Sequence, residues 1–115
     1  MYKNLDLENV VPASVSLADK EGYCVDTTGT LLASTGAYAR GVVYEGRAAN
    51  EASVIAVRGK ISAKVDGSHV NIAAGDPLVG SSVGKLIKAT IGTHAVRGHA
   101  LEAVTTDTDA PVWLI

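Results

Sequence analysis

The chain has 115 residues, 47% hydrophobic and 19% charged, a balance that permits one modest core and excludes wholesale disorder or a collagen-like chain. Ten Lys and Arg against 12 Asp and Glu leave a formal net charge of -2, which excludes a dominant electrostatic attraction to nucleic acid or an anionic membrane. The lone cysteine, Cys24, has no partner for an internal disulfide and no His/Cys set at zinc spacing beside it, so packing alone must hold the fold.

The first residues carry Asp6 and Glu8 where a secretory signal needs an apolar run, and no stretch reaches the roughly 18 apolar residues of a membrane helix. A cytosolic product is expected. Residues 1–16 hold scattered apolar positions and one proline, and stand apart from a β-rich body over 17–115. They read either as a first edge strand or frayed terminus, or as an extended arm that orders by adding a strand to a partner's sheet edge. Leu5 and Leu7 alternating with Asp6 and Glu8 suit the second reading.

Residues 31–39 and 48–52 contain enough Ala and Leu for a helical turn, but neither sustains apolar spacing near ~3.6. The clearest pattern begins at Val54, where Ile55, Val57, Gly59, Ile61, Ala63 and Val65 fall on one face of an alternating strand. Asp66-Gly67 is a turn dipeptide, and alternation resumes in Val70 and Ile72, which predicts a hairpin. Gly75-Asp76-Pro77 then breaks the pattern, Leu78-Val79 is a short apolar step, 80–84 is a turn and 85–89 a short strand. The class predicted is all-β, a compact small barrel or sandwich with little helix. Aromatic residues are only 4% and Phe is absent. Such a thin core predicts that further burial comes from association between subunits.

Two stretches resemble each other. The first reads Gly22-Tyr23-Cys24-Val25, Gly29-Thr30-Leu31 and Ala39-Arg40-Gly41-Val42-Val43-Tyr44-Glu45. The second reads Gly75-Asp76-Pro77-Leu78, Gly84-Lys85-Leu86 and Val96-Arg97-Gly98-His99-Ala100-Leu101-Glu102. A polar loop follows each Glu, and then an apolar strand, Val54-Ile55-Ala56-Val57 or Val112-Trp113-Leu114-Ile115. The pattern predicts two similar β units bridged by a hairpin over 60–74, with the first 15 to 20 residues outside both copies.

Chemistry-bearing residues are sparse. His69, His94 and His99 read as surface or interface residues, and Cys24 as a buried, inert thiol. Gly80-Ser81-Ser82-Val83-Gly84-Lys85 lacks the glycine spacing of a phosphate loop, is followed by Leu86 rather than Ser or Thr, and leads into a strand. Glu102, Asp107 and Asp109 lack the pattern of a calcium loop and read as a solvated turn. No catalytic, cofactor or metal site is expected. The recurring Arg40-Gly41 and Arg97-Gly98 have a structural explanation, with Gly allowing close backbone approach and Arg pairing with a neighbouring acid.

The repeated Arg-Gly strand and the central Ile72-Ala73-Ala74-Gly75-Asp76-Pro77-Leu78 step resemble the small capsid decoration, or cement, proteins of tailed bacteriophages. The shared elements are an Ala-Gly-Asp turn, here Ala74-Gly75-Asp76, a Gly-Lys strand, here Gly84-Lys85-Leu86, and a Gly-apolar-Ala-Leu-Glu segment, here Gly98-His99-Ala100-Leu101-Glu102. The likeness spans 22–115. It implies a β-rich protomer that forms a homotrimer on the outer surface of the expanded shell of a virion, made in the host cytoplasm, with the phage major capsid protein as partner. It implies no catalysis, no cofactor, and no nucleic acid or membrane partner. Tyr2, Leu5, Leu7, Val10 and Val11 are then the candidate capsid-binding arm. Arg40, Gly41, Arg97, Gly98 and Trp113, on the repeat strands, are the candidate subunit interface. Two rivals are a non-viral small β-barrel module that binds a ligand or protein, and a small enzyme with an interface site built from His99, Glu102 or Asp76.

Overall fold

Eight strands and no helix make up the described residues (5–12, 15–90 and 95–115) of the computed structural model. They are β1 (Asp6–Val10), β2 (Cys24–Val25), β3 (Gly41–Glu45), β4 (Ser53–Asp66), β5 (Pro77–Gly80), β6 (Leu86–Lys88), β7 (Gly98–Ala100) and β8 (Asp107–Leu114). The long alternation that begins near Val54 becomes β4, and its two halves serve different partners. The first half pairs antiparallel with β1 and with β3, beyond which lies β2. The second half pairs antiparallel with β8, from Gly59↔Leu114 to Asp66↔Asp107, and in parallel with β6 at Val65↔Leu86. With β6 on β5, β5 on β7 and β7 on β8, these strands close a five-stranded barrel. The all-β, small-barrel class expected from the pattern is what the chain forms.

The two units repeat each other pair by pair. Cys24↔Val42 and Val25↔Gly41 in the first answer Pro77↔His99 and Leu78↔Gly98 in the second. Val42↔Ala56 and Val43↔Ile55 likewise answer His99↔Trp113 and Ala100↔Val112. The connecting hydrogen bonds recur as well. The Gly22 N–H donates to the Val43 carbonyl at 2.9 Å, and the Gly75 N–H to the Ala100 carbonyl at 2.7 Å. The Arg40 N–H donates to the Val25 carbonyl at 2.9 Å, and the Arg97 N–H to the Leu78 carbonyl at 2.8 Å. A Cβ on Gly41 would lie 2.5 Å from the Ala56 carbonyl oxygen, and one on Gly98 would lie 2.5 Å from the Trp113 carbonyl oxygen. Only glycine admits so close an approach of neighbouring backbones, which is why glycine follows the arginine in both copies.

The register also corrects where the first unit begins. Leu7↔Ala56 and Val10↔Ser53 occupy the positions of Lys60↔Trp113 and Ala63↔Ala110, so β1 is the first strand of the first unit rather than a segment outside both copies. Its counterpart is the second half of β4. One continuous strand therefore ends the first unit and begins the second. Within the first unit Val10, Val25, Val43 and Ile55 close around Leu17 as a small core. The equivalent Ala63, Leu78, Ala100 and Val112 belong, with Ile72, to a larger one, which also takes Cys24, Val42 and Ala56 from the opposite side of the first unit's strands.

Two local expectations fail for physical reasons. The predicted hairpin at Asp66-Gly67 does not form: the Asp66 carboxylate accepts the Ser68 N–H at 2.9 Å, an Asx turn that leads the chain off the ladder. β8 takes the place beside β4, because Ala110, Val112 and Leu114 supply a longer apolar alternation than Val70 and Ile72. Ile72 instead exchanges hydrogen bonds with Val104, each at 2.9 Å, and Val70 is exposed. Neither Ala-rich stretch is helical: Glu51 N–H donates to the Ala48 carbonyl at 3.1 Å in a turn that continues through Asn50 at φ 66°. A left-handed residue ends any helix before it starts.

Candidate functional site

Four charged side chains share a cleft of about 450 Å³ where the two units meet, lined by Glu8, Thr27, Tyr38, Arg40, Arg58 and Arg97. Val57 and Ile115 complete its wall. The duplication puts two of the arginines there. Arg40 and Arg97 precede the equivalent glycines of β3 and β7, and Arg58 lies on β4 beside Asp6 in β1.

The equivalent arginines do different work. Arg97 is 5% exposed, and its guanidinium donates to the carbonyls of Ala39 at 2.7 Å and Arg40 at 2.9 Å. It donates also to the Val57 carbonyl and to the Ile115 main-chain oxygen. Burial pulls its pKa below the usual arginine range, while Tyr38 and Cys24 act the other way. The group stays cationic, because arginine keeps its proton even when desolvated. Among the described residues no Asp or Glu side chain forms an ion pair with it. The neighbouring acid expected for this arginine is replaced by main-chain oxygens, which stitch the first unit to the second. Arg40, in contrast, pairs with Glu8 at 3.1 Å and is partly open. Arg58 meets Asp6 at 3.4 Å, with both side chains more than half exposed. Tyr38, 56% exposed, lies with its ring 5.9 Å from the Arg97 guanidinium.

Of the candidate arm, Leu7 and Val11 are exposed, Leu5 packs partly against the larger core, and Val10 is buried at 5%. Tyr2 lies outside the described residues, as does His94. The arm and the arginines of the repeat strands come together here, since Glu8 of β1 is the partner of Arg40. Trp113 is not in the cleft: it lies on β8, across from Lys60 and His99, partly exposed on the barrel's outer side. Gly41 and Gly98 are buried backbone contacts and offer no side chain. The reading of the sequence missed Tyr38, Arg58 and Thr27. The alternation of β4 does place Arg58 on a wet face, but only the pairing of β1 with β4 brings it beside Asp6.

Other chemistry is thin. Burial pushes the Cys24 thiol up to about 12. Asp76 accepts the Ala73 N–H at 2.8 Å and meets Lys88 at 3.4 Å. His69 is exposed and His99 half-buried in β7. No cluster of His, Cys, Asp or Glu suited to a metal ion occurs among the described residues. No family model matches the chain, and a search of curated proteins returns no match.

Proposed function

We propose that the chain is a structural virion protein that binds the outside of an expanded phage capsid as a homotrimer and reinforces contacts between major capsid subunits. The observation that carries this reading is that the residues of the resemblance are the ones that build the second unit. Asp76 caps its first turn through the Ala73 N–H, Gly84 turns the chain at φ 78°, and Gly98 admits the β8 backbone. A second support is β1, which among the described residues pairs with β4 alone and carries exposed Leu7, with exposed Val11 just beyond it. Such an edge offers both a row of backbone groups and apolar side chains to a neighbouring subunit. Trp113, beside His99 and Lys60, supplies an aromatic anchor for contact between copies.

A ligand that binds only the expanded shell stabilises that state through mass action. A trimer multiplies the effect, because three copies engage neighbouring subunits at once. Leu7→Asp with Val11→Asp tests the arm: the variant is expected to keep its far-ultraviolet spectrum and lose co-sedimentation with expanded, undecorated shells. Unchanged co-sedimentation would contradict the assignment of the arm. The arginine cleft favours a second reading, a non-viral small β-barrel module that binds an anionic ligand or protein.

A further inference from the structure

The cleft at the junction of the units gathers three guanidinium groups. Arg40, Arg58 and Arg97 line it, Arg40 paired with Glu8 and Arg58 with Asp6. Arg97 is held in place by main-chain oxygens and contributes its field rather than a free fork. The other two are partly or largely open to water, and their ion pairs are exposed ones of small net worth. A desolvated cation beneath exchangeable guanidinium groups concentrates positive potential in a concave site, on a chain whose overall charge is -2.

We propose that this cleft is a carboxylate-binding site, in which Arg58 and Arg40 hold an incoming carboxylate over the buried charge of Arg97, with Tyr38 as its apolar wall. The chemical class follows from what already sits there. Glu8 and Asp6 show that these guanidinium groups accept carboxylates, and the planar fork of arginine matches that group. Glu8 is thus an internal competitor for Arg40. The site holds whether or not the capsid reading does.

The test uses the folded full chain, with the arginine Nε–Hε resonances followed by NMR at constant ionic strength. Sodium acetate and a hexaglutamate peptide are the probes. Saturable shifts of Arg58 and Arg40 are expected. Glu8→Gln should tighten binding by about threefold to tenfold, and Arg58→Gln should weaken it about tenfold. Saturation by acetate as tight as by the peptide marks a small free carboxylate as ligand, and saturation by the peptide alone marks an acidic protein segment; either supports the site. Linear, unsaturable drift with both probes in the wild type and in Glu8→Gln would overturn it, as would binding indifferent to Arg58→Gln. No capsid enters the experiment, so its failure is distinct from failure of the capsid reading.

Discussion

At Arg97 a guanidinium removed from water is satisfied by main-chain oxygens of Ala39, Arg40, Val57 and Ile115, so its loss orphans acceptors on both units. Arg40, at the equivalent position, reaches an exposed carboxylate instead. Arg97→Met is therefore expected to cost about 2–4 kcal/mol in urea unfolding, and Arg40→Met less than about 1 kcal/mol. Equal costs would remove the distinction between stitch and rim. The Arg-Gly repeat was legible in the sequence, and so was the reason for its glycine. What distinguishes the two arginines was not, because the acceptors of Arg97 are backbone atoms brought from distant segments. Cys24 offers an independent measurement: with its pKa pushed up to about 12 by burial, the thiol should react with Ellman's reagent at pH 8 only as fast as the chain unfolds. Rapid labelling of the folded protein would contradict that burial.

Among the elements, β1 decides how the first unit is closed. Val10 fills its core and Leu7 faces water. Val10→Ala should cost about 1–2 kcal/mol, and Leu7→Ala should stay within about 0.5 kcal/mol, as read by thermal or urea unfolding. Comparable effects at both positions would mean that β1 is seated in another register. The turns that start and end strands depend on ionised carboxylates. Hydrogen bonds from Ser68 hold Asp66 below the ordinary carboxylate range, and the Ala73 N–H does the same for Asp76. A pKa lower in the folded chain than in the unfolded one stabilises the fold above the unfolded value and ceases to do so as pH falls through the folded value. The melting temperature should accordingly hold above about pH 5 and decline below about pH 4. Asp76→Asn should lower the plateau and flatten that decline; an unchanged pH profile would contradict the turn's dependence on charge. The alternation of β4 and the turns at Gly75 and Gly84 could be read directly. The pairing of β4 with β8 rather than with Val70 and Ile72 could not, because an Asx turn and a competing distant strand decided it.

On the scale of the whole molecule, a repeated unit of short strands is economical in side-chain volume. Each copy closes on Val, Ala, Leu and Ile, and one continuous strand joins the copies. The repeat was visible from Gly22 onward, but its first strand was hidden because β1 and the second half of β4 share register and not sequence. The measurement that bears most directly on the central claim is sedimentation of the purified protein, alone and mixed with expanded shells lacking decoration. The decoration reading predicts a trimer that pellets with the shells in fixed stoichiometry. A monomer that stays in the supernatant would contradict it.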